Sequence, residues 1–544
     1  MNARWFRSPT LHPCTLALAV SAYIALAFNL PFYLALERIF QQLEHVDYGF
    51  VASIPLFVIA VLNLVLALCC WKGITKPLVI MLIISSSLVS YTMLTYGVVF
   101  DYGMIENLFE TNPAEAGSYL NLNVVLWLTI TALLPTLVVC RVRLCQRQTL
   151  AGELLHKAAS VTLSVLCVLA IAFFYYKDYS SVGRNNSYLK TMIVPTHFIY
   201  SSAKYINNTF LTTPVPFETL GQDASQSPLA ADAKPTLMVI VVGETARSMN
   251  LAYNGYSRPT TPFTQDKNLI SMKRVSSCGT ATAVSVPCLF SPQTRSGFDG
   301  KRARNQSNLM DIFGYAGIDS VWKDNDGGSK GVAKRMSYLP VDPSAHPQFC
   351  EGGVCVDEVL LEDFDTQIDA MQGNRVVVLH LIGSHGPTYY QRYPQSMAAF
   401  TPACNSNNIE TCTEQELVNV YDNTIRYTDY VLNQTIKRLQ GMSDRYKTAL
   451  VYLSDHGESL GENGLYLHGF PYGLAPKQQT TVPWLMWFSD AFSRDKGIDR
   501  QCLVKKGEQA ELSHDNFFHS MLGIMDVHTS LYQPQLDLFA DCRQ

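Results

Sequence analysis

The chain has 544 residues, more than one ordinary domain holds, and this length predicts at least two domains. Its net charge of −4 argues against general nucleic-acid binding, so we expect no nucleic-acid partner. With 48% hydrophobic and only 16% charged residues, the composition is apolar for a soluble protein. The apolar residues are concentrated in the first third of the chain, which indicates a membrane domain there.

Five stretches in this first third contain no charged residue. Each is close to the length of about 20 residues that a helix needs to cross the hydrocarbon core of a bilayer. A cleaved signal peptide is an alternative for the first stretch, because Ala25-Leu26-Ala27 resembles a cleavage site. That stretch continues apolar and four more follow, so an anchor is favoured. We predict five transmembrane helices at 15–36, 48–71, 77–100, 116–140 and 158–176.

Lysine and arginine residues lie on alternate sides of these stretches. They precede the first, and they separate the second from the third and the fourth from the fifth, whereas the other loops carry mainly Asp and Glu. By the positive-inside rule, the N-terminus is cytoplasmic and everything after residue 176 lies outside.

The cysteines agree with this topology. Six lie within the apolar stretches or at their cytoplasmic ends, and eight follow residue 277, on the side where disulfides form. The absence of a C-x-x-C motif argues against zinc-ribbon thiolates, although one sequence does not fix the connectivity. Three pairs are closely spaced, Cys278 with Cys288, Cys350 with Cys355 and Cys404 with Cys412, which leaves Cys502 and Cys542.

The rest of the chain is expected to form a linker and an α/β domain. We place a five-helix transmembrane domain at 1–176, an interfacial bridging segment with a linker at 177–235, and the external domain at 236–544. The bridging segment is rich in tyrosine with scattered Lys and Arg, a composition typical of membrane interfaces. In the external domain, unbroken apolar runs alternate with helical patterns, which predicts a mostly parallel sheet with helices on both faces.

Three of the predicted strands end in polar side chains. Glu244 follows the first strand, His385 follows the second, and Asp455 with His456 follows the third. Because the carboxyl ends of parallel strands meet at one edge of a sheet, we expect a single metal site there. Carboxylate oxygens and imidazole nitrogens suit zinc. The strands concerned are 237–242, 376–381 and 450–453.

A short loop framed by Cys278 and Cys288 could supply a nucleophile. It contains Thr280 and Thr282, and a bridge between the two cysteines would hold these hydroxyls in fixed positions. A hydroxyl bound to zinc is acidified and becomes an alkoxide near neutral pH. Such a nucleophile could take a phosphoryl group from a donor and pass it on.

Other polar residues could assist this chemistry. The glycine-rich loop 324–330 ends in Lys330, which could contact phosphate oxygens or could simply be solvated. His385 and His468 could hold a second metal, act as acid and base, or be structural. His380 lies within a predicted strand and is expected to pack or hydrogen-bond in the core. The sequence around four other histidines shows no pattern that indicates a function: His346, His514, His519 and His528.

Taken together, these segments resemble the lipid A phosphoethanolamine transferase family, which includes the mobile colistin-resistance enzymes. The resemblance covers essentially the whole chain. It implies five transmembrane helices followed by an alkaline-phosphatase/sulfatase-like α/β domain, in the bacterial inner membrane with the catalytic domain in the periplasm. The motifs that carry it lie at 242–245, 278–282, 324–330, 383–387, 454–461 and 466–469.

The resemblance also implies residue roles. Thr282 matches the nucleophile that becomes modified with phosphoethanolamine, whereas Thr280, two residues earlier, does not match. One tightly bound zinc is implied at Glu244, Thr282, Asp455 and His456. The remaining catalytic positions are Lys330, His385 and His468, the two histidines serving a second zinc or acid–base catalysis. The implied lipid-substrate positions are Asn107, Thr111 and Glu115, together with Lys330.

The implied reaction is a ping-pong transfer. Phosphatidylethanolamine donates phosphoethanolamine to Thr282, and the lipid A headgroup then takes it. The added cation masks a phosphate charge, which should give resistance to polymyxin and other cationic antimicrobial peptides. We expect a monomer whose partners are the donor, the acceptor and membrane lipids.

Alternative functions remain open. A phosphoglycerol transferase, or a phosphoethanolamine transferase with another acceptor such as a core sugar or a protein, would share much of this site.

A sulfatase needs the motif C-x-P-x-R or C-x-A-x-R. The motif is absent here, because Thr280 and Thr282 occupy the two required positions after Cys278. A non-catalytic binding protein would be favoured by a lost ligand, and none is missing. A transporter is disfavoured because the apolar stretches contain no Asp, Glu, Lys or Arg.

Overall fold

The chain divides into two compact units, each with its own type of secondary structure. The first is formed by Met1–Ile105 and Leu120–Ile206, and the second by Glu106–Tyr119 and Asn207–Gln544. The first is mainly helical, and the second contains an eight-stranded sheet. The computed structural model describes residues 9–41, 46–111, 116–117, 119–145, 149–212, 215–230 and 232–543.

Long apolar helices make up most of the first unit. Within the described residues, four are long and apolar enough to cross a membrane: Tyr48–Cys69, Thr75–Tyr96, Leu122–Arg141 and Leu150–Ser180. The predicted first span is instead a bent pair, Pro13–Phe28 and Leu30–Phe40, which meet at 55°. The unit therefore has four candidate spans, or five if the bent pair crosses as one. It also contains the 3-10 helix Ser187–Met192, helix Thr196–Ile206 and the short paired strands Thr10–Leu11 and Arg143–Leu144.

Asn29 lies at the bend of the first helix pair. Its side-chain amide donates to the carbonyl oxygens of Ile24 (3.1 Å) and Val194 (2.9 Å), and its side-chain oxygen accepts from the N–H of Val194 (2.9 Å). Asn29 is fully buried, and its bonds satisfy the Ile24 carbonyl near the break and the backbone of Val194. Pro31 lies in the first turn of the following helix, where its missing N–H costs nothing.

The sheet of the second unit is mostly parallel, as predicted. Only β7 runs against its neighbours. All eight residues of β1 are buried, and because successive side chains point to opposite faces, both faces of the sheet are covered. Its strands are β1 (Thr236–Gly243), β2 (Ile270–Ser276), β3 (Asp319–Asp324), β4 (Ser337–Pro340), β5 (Arg375–His380), β6 (Lys447–Ser454), β7 (Thr481–Phe488) and β8 (Leu512–Ser513), in the order β8-β2-β7-β6-β1-β5-β3-β4.

Helices cover this sheet and share its core. Ile240 of β1 belongs to a buried cluster with Phe313 and Phe517, which come from two of these helices. Two short hairpins, Cys350–Glu351 with Val354–Cys355 and Ser459–Leu460 with Tyr466–Leu467, lie outside the main sheet. The helices are Thr282–Leu289, Gly300–Arg304, Leu309–Tyr315, Phe364–Ala370, Glu414–Gly441, Lys477–Thr480, Asp490–Asp495, Arg500–Gln509 and Asp515–Ile524.

The register of the sheet brings four strand ends together. Ser454 at the end of β6 pairs with Gly243 at the end of β1, and Val242 pairs with His380 at the end of β5. His380 in turn pairs with Asp324 at the end of β3. The residues that follow β6, β1, β5 and β3 therefore meet at one edge of the sheet.

Four disulfides cross-link the second unit. They join Cys278 to Cys288, Cys350 to Cys355, Cys404 to Cys412 and Cys502 to Cys542. The other six cysteines are free thiols in the first unit. This division has the redox asymmetry that the predicted topology requires.

Thiol counting tests this cross-linking. The denatured, unreduced protein should react with a maleimide reagent at six cysteines, and prior reduction should raise the count to fourteen. Intact mass spectrometry gives both counts. A Cys502→Ser variant should show one additional thiol without reduction, because it frees Cys542. More than six reactive thiols in the unreduced wild-type protein would contradict the four-disulfide pattern.

Candidate functional site

Four predicted site residues converge at the common edge of the sheet. Glu244 follows β1, and Asp455 and His456 follow β6. Thr282 is the first residue of helix Thr282–Leu289. All four side chains are buried. We call this group the Thr282 centre.

The atoms of the Thr282 centre have the spacing of a tetrahedral metal site. Thr282 Oγ1 lies 3.2 Å from Glu244 Oε2 and 3.4 Å from His456 Nε2. His456 Nε2 lies 3.4 Å from Glu244 Oε1 and 3.3 Å from Asp455 Oδ2. With zinc–ligand bonds of about 2.0–2.1 Å, the ligand atoms of a tetrahedral site are about 3.3–3.4 Å apart. These four distances are compatible with a zinc ion held by the four residues.

The buried negative charges of the Thr282 centre also favour binding of a cation. Glu244 Oε1 and Asp455 Oδ2 are buried and have no hydrogen-bond partner among the described residues. Burial and the nearby charge of Asp455 raise the pKa of the Glu244 carboxyl well above its ordinary value. An unpaired buried carboxylate costs on the order of several kcal/mol, which a divalent cation would offset.

His456 is held in the form that a metal ligand needs. Its Nδ1 lies 2.9 Å from the carbonyl oxygen of Gly457, which can only accept a hydrogen bond. The proton therefore resides on Nδ1, and the lone pair on Nε2 faces the carboxylates. Burial lowers the pKa of His456 to about 4, so the imidazole is neutral at physiological pH.

A second histidine, His514, holds the loop that carries Thr282. Its Nδ1 accepts from the N–H of Cys278 (3.1 Å), and its Nε2 donates to the carbonyl oxygen of Ser454 (3.0 Å). Burial lowers the pKa of His514 to about 4, so one ring nitrogen accepts and the other donates. His514 thus ties the disulfide-framed loop to the end of β6. No sequence pattern indicated this role, because both contacts are made between distant parts of the chain.

The two threonines of this loop have different surroundings. Thr280 Oγ1 donates to the carbonyl oxygen of Phe470 (2.7 Å), and the Thr280 carbonyl accepts from the N–H of Gly469 (2.7 Å). The hydroxyl of Thr280 is therefore engaged with the backbone next to His468. Only Thr282 directs its hydroxyl to the carboxylate and imidazole of the centre.

Two further predicted histidines lie beside the centre. The ring centroids of His468 and His456 are 4.6 Å apart, and those of His385 and His468 are 5.2 Å apart. His468 Nδ1 lies 3.2 Å from Glu458 Oε1, an arrangement that fixes the imidazole orientation. Glu458 is fully buried, and its partnership with His468 had not been expected from the sequence.

The glycine-rich loop after β3 also reaches the centre. Lys330 has left-handed backbone geometry (φ 49°), and its charge acts on both Glu244 and Asp326. Burial raises the pKa of Asp326 to about 6, and the charges of His380 and Lys330 oppose this rise. As expected, His380 hydrogen-bonds in the core, with its Nδ1 3.0 Å from Asp324 Oδ1.

The predicted lipid-substrate positions are less closely tied to the centre. Asn107 lies in helix Tyr102–Glu110, and its carbonyl oxygen accepts from Thr111 Oγ1 (2.8 Å). Glu115 lies outside the described residues. Among the residues that are described, no hydrogen bond joins Asn107 or Thr111 to the Thr282 centre.

A cavity of about 390 Å³ opens beside His385 and the loop that follows β3. Its lining includes Asp326, Tyr338, His385 and Arg392. This volume is within the range of small-molecule sites, and it could receive the headgroup of a substrate.

Comparison with known proteins finds a matching family model for each of the two parts of the chain. The family model described as sulfatase matches residues 236–527, and the model described as phosphoethanolamine transferase EptA/EptB matches residues 58–210. The chain is 38% identical to phosphoethanolamine transferase EptA of Escherichia coli (strain K12) over the full length of both. It is 31% identical to phosphatidylethanolamine transferase Mcr-1 of Escherichia coli over 96% of each chain.

A solved structure gives the same result. The integral membrane protein lipooligosaccharide phosphoethanolamine transferase A (EptA) from Neisseria meningitidis matches with a TM-score of 0.93 and 36% identity, covering 98% of this chain and 100% of that one. Together with the apolar helices and the disulfides, this likeness identifies an integral membrane protein with a periplasmic C-terminal domain. The chain belongs to the lipid A phosphoethanolamine transferase family.

Proposed function

We propose that this protein transfers phosphoethanolamine from phosphatidylethanolamine to lipid A through a covalent intermediate on Thr282. The observation that carries this proposal is the position of Thr282 Oγ1, 3.2 Å from Glu244 Oε2 and 3.4 Å from His456 Nε2. A hydroxyl at one vertex of a metal-ligand set is suited to become an alkoxide nucleophile. The names of the relatives support phosphoethanolamine as the group transferred, phosphatidylethanolamine as the donor and lipooligosaccharide as the acceptor.

The first half-reaction forms a bond between Thr282 Oγ1 and the phosphorus of the donor. Zinc held by the Thr282 centre would acidify the threonine hydroxyl and offset charge on the phosphoryl oxygens. The bond from phosphorus to the diacylglycerol oxygen breaks, and His468, oriented by Glu458, can give that oxygen a proton. The N–H groups of Thr282 and Ala283, at the start of helix Thr282–Leu289, have no hydrogen-bond partner among the described residues and can face the phosphoryl oxygens.

The second half-reaction releases Thr282. An oxygen of the lipid A headgroup attacks the phosphorus, and the bond from phosphorus to Thr282 Oγ1 breaks. Thr282 leaves as the alkoxide with which the first half-reaction began, and the acceptor's proton passes to the imidazole that protonated diacylglycerol, so the site returns to its starting state. Lys330 balances the phosphoryl charge in both steps.

The product explains the proposed physiological role. Phosphoethanolamine brings an ammonium group to a phosphate of lipid A, and the outer surface of the cell loses negative charge. Cationic peptides bind such a surface less strongly because their Coulomb attraction falls. The proposal therefore includes resistance to polymyxin, with the enzyme in the bacterial inner membrane.

The covalent step can be tested directly. Full-length wild-type protein in detergent, mixed with phosphatidylethanolamine, should gain one phosphoethanolamine group on Thr282, read by intact mass and peptide mapping. Thr282→Ala should abolish the adduct and lower transfer to lipid A at least about 100-fold, because the nucleophile is lost. Thr280→Ala is the matched control and should still form the adduct, since its hydroxyl bonds to the Phe470 carbonyl.

Other results would redirect the assignment. Full transfer by Thr282→Ala, or an adduct on Thr280, would refute the proposed nucleophile. Phosphatidylglycerol should give no adduct in the same assay. A glycerophosphate adduct would favour a phosphoglycerol transferase instead.

Metal binding at the Thr282 centre gives a second prediction. Asp455→Asn should lose one equivalent of tightly bound zinc and the covalent adduct, because the buried carboxylate is both ligand and counter-charge. Metal analysis of the purified full-length protein measures the loss. Asp444→Asn, at an exposed position, should retain both properties. Unchanged zinc content in folded Asp455→Asn would contradict the proposed ligand set.

A further inference from the structure

A second group of potential metal ligands lies on the other side of Glu244. Asp455 follows β6, one neighbour of β1, whereas His380 ends β5 and Asp326 follows β3. Glu244, Asp326 and His380 each offer a ligand atom, and these atoms lie within 4.8 Å of one another. All three residues are buried, so the group is not a solvated acidic surface.

His380 presents a free lone pair to this group when it is neutral. Its Nδ1 lies 3.0 Å from Asp324 Oδ1, and Asp324 also accepts from the N–H of Asp326 (3.0 Å) and the hydroxyl of Tyr338 (2.6 Å). His380 Nε2 is buried, lies 3.5 Å from Asp326 Oδ2 and has no hydrogen-bond partner within the described part of the chain. This separation is close to the ligand spacing of about 3.3–3.4 Å in a tetrahedral zinc site. A carboxylate bonded to the remote nitrogen of a histidine is the usual outer support of a metal ligand.

The charges of the region favour a further cation. The carboxylates of Glu244, Asp324, Asp326 and Asp455 are all buried. One divalent ion at the Thr282 centre and the ammonium of Lys330 would balance three of these four negative charges. With His380 neutral, as a metal ligand must be, one negative charge would remain, and a second would appear when Thr282 loses its proton. Buried charge left without a partner is strongly unfavourable.

We propose that Glu244, Asp326 and His380 form a second divalent-cation site, which shares Glu244 with the Thr282 centre. One imidazole nitrogen and two carboxylates suit zinc, whereas magnesium and calcium prefer ligand sets made of oxygen alone. An ion here takes over the charge of Asp326, so the Lys330 ammonium can contact phosphoryl oxygens. The site is separate from the pair His385 and His468, and the proposal does not depend on which group the enzyme transfers.

Cobalt titration can count the sites. Full-length protein in detergent is freed of metal by chelation and titrated with Co²⁺, which reports each site by its visible absorption, and Zn²⁺ is then measured by equilibrium dialysis. Wild-type protein should bind two equivalents. His380→Gln and Asp326→Asn should each weaken the second equivalent at least about 10–100-fold and leave the first in place. His346→Gln, a partly exposed histidine in a different part of the domain, is the control and should bind as wild type.

A combined variant assigns the two equivalents. Asp455→Asn should lose the first ion, and Asp455→Asn with His380→Gln should lose both. Asp326→Asn keeps the volume of the native side chain, so it tests the site even if His380→Gln fails to fold. A wild-type protein that binds only one ion, or folded Asp326→Asn that binds two as tightly as wild type, would overturn the proposal. In that event a protonated His380 bridges Asp324 and Asp326. The Thr282 adduct assay decides the proposed function separately.

Discussion

The burial of the Glu244 carboxylate is the constraint on which the rest of the site depends. Both of its oxygens face ligand atoms, Oε2 that of Thr282 and Oε1 that of His456. The backbone around Glu244 has little freedom. Gly383 has φ +51°, and a Cβ atom there would lie 2.6 Å from the Glu244 carbonyl oxygen. A residue with a side chain at 383 would displace Glu244 and with it the Thr282 centre.

Buried hydrogen bonds join the loops around Glu244 into one support. Asp357 accepts from the N–H groups of Ile382 (2.8 Å) and Gly383 (2.9 Å) and from the side-chain amide of Asn325 (2.8 Å). It therefore connects the loop after β5 to the loop after β3. On the opposite side, His514 connects the disulfide-framed loop to β6. Polar groups held in this way need little reorganisation when charge develops at the phosphorus.

The sequence indicated the parts of the site that lie next to a strong local pattern. Glu244, Asp455 and His456 directly follow apolar strands, so the parallel-sheet rule was enough to bring them together. Asp326 also follows a parallel strand, but β3 contains charged residues and lacks the apolar run that marks the other three strands. The contacts of His514 join segments far apart in the chain, which no local pattern indicates. The membrane unit shows the same limit. Hydropathy located the first apolar span, but it does not register the 55° bend or the contacts that Asn29 makes with Val194 at that bend.

In the proposed arrangement with two ions, the position of Glu244 between two ligand groups would link metal content to the reactivity of Thr282. A positive charge on the side of Asp326 and His380 does not need to contact the threonine to affect it. In a buried region of low dielectric constant, it lowers the pKa of a nearby hydroxyl through the Coulomb interaction. It also competes for the electrons of Glu244, so that the same carboxylate donates less to an ion at the Thr282 centre. Both effects lower the pKa of the threonine hydroxyl and so favour formation of the alkoxide. An alkoxide formed from a more acidic hydroxyl is a weaker base, and its intrinsic nucleophilicity is therefore lower. The shared carboxylate therefore sets a balance between the amount of alkoxide and its reactivity, which neither ligand group sets alone.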